Sequence, residues 1–147
     1  MRFLPRNVRV QRSDFVMAMV TWKDEYSIGV TEIDEQHKKL FEIVNRMQVL
    51  LCDELILDKY DSIIAIINEL KEYTIYHFKT EEEYMIKIGY KKLFSQKVLH
   101  HDFVEKINSI DLSQIDNDQN NYLNEILYFV CDWLVTHILK EDKLINA

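Results

Sequence analysis

The sequence predicts an all-α protein, an antiparallel up-down-up-down four-helix bundle preceded by an N-terminal arm. Three observations carry that prediction. With 147 residues, 48% of them hydrophobic and 29% charged, the chain has the size and balance of one globular domain. Its 2 glycines and 1 proline are too few for the tight turns of a barrel, a sandwich or a doubly wound sheet. Apolar residues recur at steps of three and four through four separate stretches, joined by connections short enough to favour antiparallel neighbours.

The arm, residues 1–19, is arginine-rich, lacks helical periodicity and holds the proline, Pro5. It is expected to be a poorly ordered extension, or the result of a start codon assigned too early. Met17 and Met19 precede Val20, Thr21 and Trp22, where the ordered domain, residues 20–147, is expected to begin. The first helix is predicted over 31–51, with Ile33, His37, Leu40, Phe41, Val44, Met47 and Leu51 on one face. Thr31 and Asp34 have the spacing of a capping box at its start. The second is predicted over 58–87, turning Ile63, Ile66, Ile67, Leu70, Tyr73, Thr74, His77, Glu81 and Met85 inward. Gly89 stands where a helix C-terminus needs positive φ. The third, over 92–110, presents Gln96, His100, Phe103, Val104 and Ile107. Polar residues 111–121 break the periodicity and read as a loop. The fourth, over 122–140, presents Ile126, Val130, Trp133, Leu134 and His137.

Charge narrows the function classes. The chain carries a formal −7, from 18 basic and 25 acidic residues. Arg2, Arg6, Arg9 and Arg12 lie in the arm against Asp14, so the remaining body has 14 basic and 24 acidic residues, a charge of −10. Such a surface repels polyphosphate, so no nucleic-acid partner is expected. No apolar run is long enough to span a bilayer, and 15–20 is too short for a secretion signal, so no membrane partner is expected. Cys52 and Cys131 both fall within helical patterns and read as reduced thiols of a cytoplasmic protein.

The inward faces carry chemistry that a plain core would not. His37, His77, His100 and His137 come from the four different helices. His77 and Glu81, spaced i,i+4, point from one face of the second helix. Asp142, five residues after His137, can project to a common point with it around the end of the fourth. Any one inward histidine reads most simply as a hydrogen-bonded core residue, but the combination does not. Buried carboxylates require a cation or a proton. Imidazoles plus carboxylates from four helices fit a dinuclear site for iron or manganese, whereas zinc would be satisfied by four ligands. Of the run Glu81-Glu82-Glu83, only Glu81 shares the His77 stripe. Glu82 and Glu83 rotate away by roughly 100° and 200° and read as a solvated face.

These residues sit in strings that resemble the bacterial hemerythrins. The strings are Trp22-Lys23-Asp24-Glu25-Tyr26-Ser27-Ile28-Gly29-Val30, Ile33-Asp34-Glu35-Gln36-His37-Lys38-Lys39-Leu40-Phe41, His77-Phe78 with Glu81-Glu82 and Met85, and His137-Ile138 with Asp142. The resemblance covers residues 20–144. It implies a non-haem centre of two iron ions with an oxo or hydroxo bridge, binding O2 reversibly. It assigns His37 and His77 to the O2-binding iron, His100 and His137 to the other, and Glu81 and Asp142 to bridges between them. No side-chain acid is needed in that scheme, but the pocket must stay dry. Trp133 and Leu134, one turn before His137, and Tyr73, one turn before His77, are candidates for its walls and equally for plain core.

One position departs from the family pattern. Gln96 stands four residues before His100, where the family carries a further histidine on the second iron. His101 points about 100° away from the His100 direction and is a poor substitute. Gln96 can ligate through its carbonyl oxygen, hydrogen-bond a water or hydroxide in that place, or leave the position open. The favoured function is O2 carriage, storage or delivery, by a binding protein rather than an enzyme. It would be served by an unidentified redox or O2-receiving partner. The alternative is a di-iron redox enzyme or sensor that reduces peroxide or NO, or oxidises iron, at an open place beside Gln96. A third reading is a bundle whose histidines hold no metal, or hold zinc incidentally. Because the motifs end close to the end of the chain, a fused signalling module is not expected.

Overall fold

The computed structural model describes residues 20–55, 57–111, 113 and 119–147; the arm, residues 1–19, lies outside them. Among the described residues there are four long α-helices and no strand: α1 Thr31–Cys52, α2 Tyr60–Ile88, α3 Leu93–Asn108 and α4 Gln119–Lys140. Single 3-10 turns precede and follow them at Asp24–Tyr26 and Asp142–Leu144. α1 packs on α2 and on α4, and α2 packs on α3. The ring closes through side chains between α3 and α4, where Phe103 meets Phe129 and Trp133 at centroid distances of 5.6 and 4.3 Å.

The apolar stripes read from the sequence line the interior. Ile33, Leu40, Phe41, Val44 and Met47 from α1, Ile63, Ile67, Leu70 and Met85 from α2, Phe103 and Ile107 from α3, and Ile126, Val130 and Leu134 from α4 are buried. Four expected positions, Ile66, Tyr73, Val104 and Trp133, are only half-buried, and Leu50 rather than Leu51 is the buried member of its pair. α4 starts three residues earlier than its apolar pattern, because Gln119, Asn120 and Asn121 are polar and carry no periodic signal. Of the expected loop, residues 112 and 114–118 lie outside the described residues. Cys52 and Cys131 are free and half-buried; burial first, and then the neighbouring Asp132, push the Cys131 thiol up to about 12.

Both glycines do what only glycine does cheaply. Gly89 ends α2 at φ 68°, and the amide of Tyr90 closes back on the Met85 carbonyl at 2.9 Å, the long bond of a Schellman cap. Gly29 sits at φ 80°, where a Cβ would meet Asn146 Nδ2 at 2.9 Å, so this turn is also where the C-terminus crosses.

The start of α1 differs from the expected capping box. Val30 is the N-cap residue, and no side chain caps it. Asp34 turns outward to the preceding segment instead, accepting from Ser27 Oγ at 2.6 Å and from the Ile28 amide at 2.9 Å. Its carboxylate staples the entry turn to the helix. The entry segment is held a second time by Asn45, which exchanges hydrogen bonds of 3.1 and 2.9 Å with the Val20 backbone. Asp34→Ala should therefore cost about 1–2 kcal/mol in urea unfolding, while Thr31→Ala should stay within about 0.5 kcal/mol. Equal losses would restore the capping box.

Candidate metal centre

Six ionisable side chains meet in the bundle interior. His37 comes from α1, His77 and Glu81 from α2, His100 from α3 and His137 from α4, with Asp142 on the turn beyond it. All six are at most 6% exposed. His77 and Glu81 meet because one turn of α2 separates them, leaving His77 Nε2 2.8 Å from Glu81 Oε1. Along an unbroken α-helix, Asp142 would lie about 140° round from His137. The helix breaks at Glu141 into a tight 3-10 turn, and this brings Asp142 Oδ1 to 3.1 Å from His137 Nε2.

Each carboxylate divides its two oxygens between two groups of histidines. Glu81 Oε1 faces His37 Nε2 at 2.9 Å and His77 Nε2 at 2.8 Å, while Oε2 faces His100 Nε2 at 3.2 Å. Asp142 Oδ2 faces His37 Nε2 at 3.2 Å, while Oδ1 faces His137 Nε2. Two overlapping quartets result, His37, His77, Glu81 and Asp142 on one side and Glu81, His100, His137 and Asp142 on the other. Both carboxylates belong to both quartets, the arrangement a bridging ligand requires.

The donor set fits a pair of cations. His100 and His137 turn Nε2 toward Nε2 at 3.2 Å, so both rings present a ligand atom to one place beside the carboxylates. Glu81 Oε2 and Asp142 Oδ2 are buried, and each faces a ring nitrogen at 3.2 Å, His100 Nε2 and His37 Nε2 respectively. With bonds of about 2.1 Å, neighbouring ligands of one ion lie about 3.0 to 3.4 Å apart. The closest separations here run from 2.8 to 3.2 Å, and the ligand atoms of each quartet all lie within 4.8 Å of one another.

The far nitrogens orient the rings. His77 Nδ1 lies 2.8 Å from Gln36 Oε1, and Gln36 Nε2 in turn donates to Thr80 Oγ1 at 3.2 Å. His100 Nδ1 lies 3.0 Å from Glu82 Oε2. In both rings this favours a proton on Nδ1 and turns Nε2 toward the centre. Aromatic rings complete the wall: Phe78 stacks on His100 at 3.8 Å with planes 2° apart, and Trp133 stacks on His137 at 4.3 Å and 10°. Trp133 therefore belongs to the His100–His137 half. Leu134 is buried in the core nearby, whereas half-buried Tyr73 pairs at 5.7 Å with the exposed Tyr76. Gln96 is buried and donates from Nε2 to Asp142 Oδ1 at 3.1 Å, and its Oε1 has no partner. His101 is exposed, as its register requires.

Two features were not legible beforehand. Glu82 is not simply a solvated residue, because the rotation that takes it off the His77 stripe turns it toward α3 and His100. Gln36 lies one residue off the α1 stripe, and adjacency to His37 is the one signal the sequence carries for it.

Residues 28–147 match the Hemerythrin HHE cation binding domain. The chain belongs to the hemerythrin family. It is 49% identical over 125 residues to a bacteriohemerythrin of Clostridium acetobutylicum, covering 85% of this chain and 97% of that one. A bacteriohemerythrin of Stenotrophomonas maltophilia is 30% identical over 128 residues, covering 86% and 79%. A solved crystal structure of a mutant protein superposes with a TM-score of 0.73 at 32% identity, covering 88% of this chain and 96% of that one. No helix among the described residues of this hemerythrin is long and apolar enough to cross a membrane.

Electrostatics give this hemerythrin site a definite pH response. Burial opposes charge on His37, but hydrogen bonds to Asp142 and Glu81 outweigh it and raise the ring to about 9. His100 is likewise raised to about 9, as Glu81 and Glu82 overcome burial. Burial dominates at His77 and lowers it. Burial would raise Glu81, but His77, His100 and His37 hold it well below the usual carboxylate range. In the metal-free protein, protons on His37 and His100 thus take the place of a cation. A histidine raised from 6.5 to about 9 stabilises the fold fully below pH 6.5 and loses that contribution as pH rises through 9. The melting temperature of metal-free protein should therefore fall between pH 6.5 and 9. Metal uptake at pH 7 should release protons, measurable by calorimetry in buffers of different ionisation enthalpy, and should strengthen toward pH 9.

Proposed function

We propose that this hemerythrin holds two iron ions and binds O2 reversibly, for carriage, storage or delivery. The observation that supports this most is the division of the Glu81 and Asp142 oxygens between two histidine groups. His37 and His77 would hold one ion, His100 and His137 the other, with Glu81 and Asp142 shared. A pair of ferrous ions there supplies two electrons that can be lent to O2 and recovered.

The chain's own residues do the rest. Gln36 and Glu82 hold the His77 and His100 rings with Nε2 inward. Glu81, fully buried and ionised, balances the charge of the centre without water. Phe78 and Trp133 pack on the His100 and His137 rings, Leu134 is buried in the core, and together they limit the access of water and protons to the His100–His137 half of the centre.

Gln96 supports a second reading, a redox enzyme or sensor. Its amide is committed to Asp142 while its carbonyl oxygen has no partner, so one place beside His100 and His137 has a weak donor or none. Exposure of reduced, iron-loaded protein to air separates the two. A coloured form that persists and reverses under argon supports carriage. Immediate loss of that form with turnover of added peroxide supports the enzyme.

Two substitutions test the ligand set. His77→Ala should lower iron from two ions per chain toward one and reduce the melting temperature of loaded protein, since ligation and folding are coupled. Gln96→His should slow iron release to a chelator by about tenfold and slow autoxidation, as an imidazole replaces a neutral amide. Unchanged release would show that Gln96 does not limit the site.

A further inference from the structure

We propose that Glu82 is a positioning residue for His100, fixing that ring and strengthening the nitrogen it turns toward the centre. This rests on the dinuclear reading above and extends it to a residue outside the ligand set.

Glu81 and Glu82 are neighbours on α2, and the rotation between them, about 100°, gives them different tasks. Glu81 points inward to the histidine cluster. Glu82 points to α3 and places Oε2 3.0 Å from His100 Nδ1, so the ring N–H donates to a carboxylate. Phe78, one turn earlier on α2, stacks on the same ring at 3.8 Å. One stretch of α2 therefore sets both the plane of the His100 ring and its rotation within that plane.

The other half of the centre is built differently. His77 donates from Nδ1 to the neutral carbonyl of Gln36 at 2.8 Å. A hydrogen bond to an ionised acceptor is roughly twice as strong as a neutral one, and it moves electron density toward Nε2. The stronger anchor thus serves the half where Gln96 replaces an imidazole, so one reinforced histidine offsets one missing donor. Glu82 lies on the wall of a surface groove of about 420 Å³ between α2 and α3, together with Ile75, Phe78, Ile86, His100 and Val104. Its side chain is 23% exposed, so the anchor can be altered without opening the core.

The test loads full-length wild type, Glu82→Ala and Glu82→Asp with cobalt(II). It follows release of each ion to a chelator and the exchangeable ring N–H signals shifted by cobalt. Wild type should hold two ions. In Glu82→Ala one ion should leave at least about tenfold faster while the other keeps its wild-type rate, and the His100 N–H signal should vanish by exchange while that of His77 remains. Glu82→Asp should restore part of both. Wild-type release rates and a retained His100 signal in Glu82→Ala would overturn the proposal and leave the dinuclear reading intact. Both ions leaving faster in step with a lowered melting temperature of metal-free protein would mark a merely structural role and overturn it as well. A wild type that takes up no cobalt would overturn the dinuclear reading and this proposal together.

Discussion

Two carboxylates with almost no solvent exposure, Glu81 and Asp142, stand at the centre of a bundle otherwise lined by aliphatic and aromatic side chains. Buried negative charge is tolerated only if positive charge or hydrogen-bond donors surround it at close range. Four imidazoles do so here, one from each helix, at 2.8 to 3.2 Å. Because the counter-charges are spread over α1, α2, α3 and α4, satisfying the carboxylates fixes the relative position of all four. The apolar layers supply most of the cohesion; the polar cluster sets the register in which those layers meet.

The same constraint accounts for details at the edges of the fold. Asp142 reaches the cluster only because α4 gives way to a 3-10 turn after Glu141. The C-terminal tail then crosses the Gly29 turn, where a side chain would collide with Asn146. Asp34 ties that turn to α1, the helix that delivers His37. The entry and exit of the chain are thus clamped near each other at the end of the bundle that carries Asp142.

The cluster is not symmetric. His77 leans on a neutral amide and His100 on a carboxylate, and only the His100–His137 half has stacked rings on both of its histidines. Gln96 belongs to that half as well, bound to Asp142 through its amide. Two chemically unlike pockets share one pair of carboxylates, Glu81 and Asp142.

The sequence by itself determined the helices, the five ligand-type residues they turn inward and Asp142 just beyond the last of them. Hydrophobic spacing at three and four residues is a local property, and a histidine or acid on such a stripe is marked out by its cost of burial. Gly89 was legible for the same reason, since positive φ at a helix end is a demand of the backbone alone. Tertiary structure decided what spacing cannot express. Asp34 gave up the expected cap because a neighbouring turn offered better donors, and Glu82 became a partner of His100 because α3 packs on the side of α2 to which Glu82 points. Trp133 went to His137 and half-buried Tyr73 to Tyr76 because their places depend on which helix packs alongside. Above all, the oxygens of Glu81 and Asp142 could be divided between two histidine groups only once four separate segments had met, and no one-dimensional pattern records a distance between atoms on different helices.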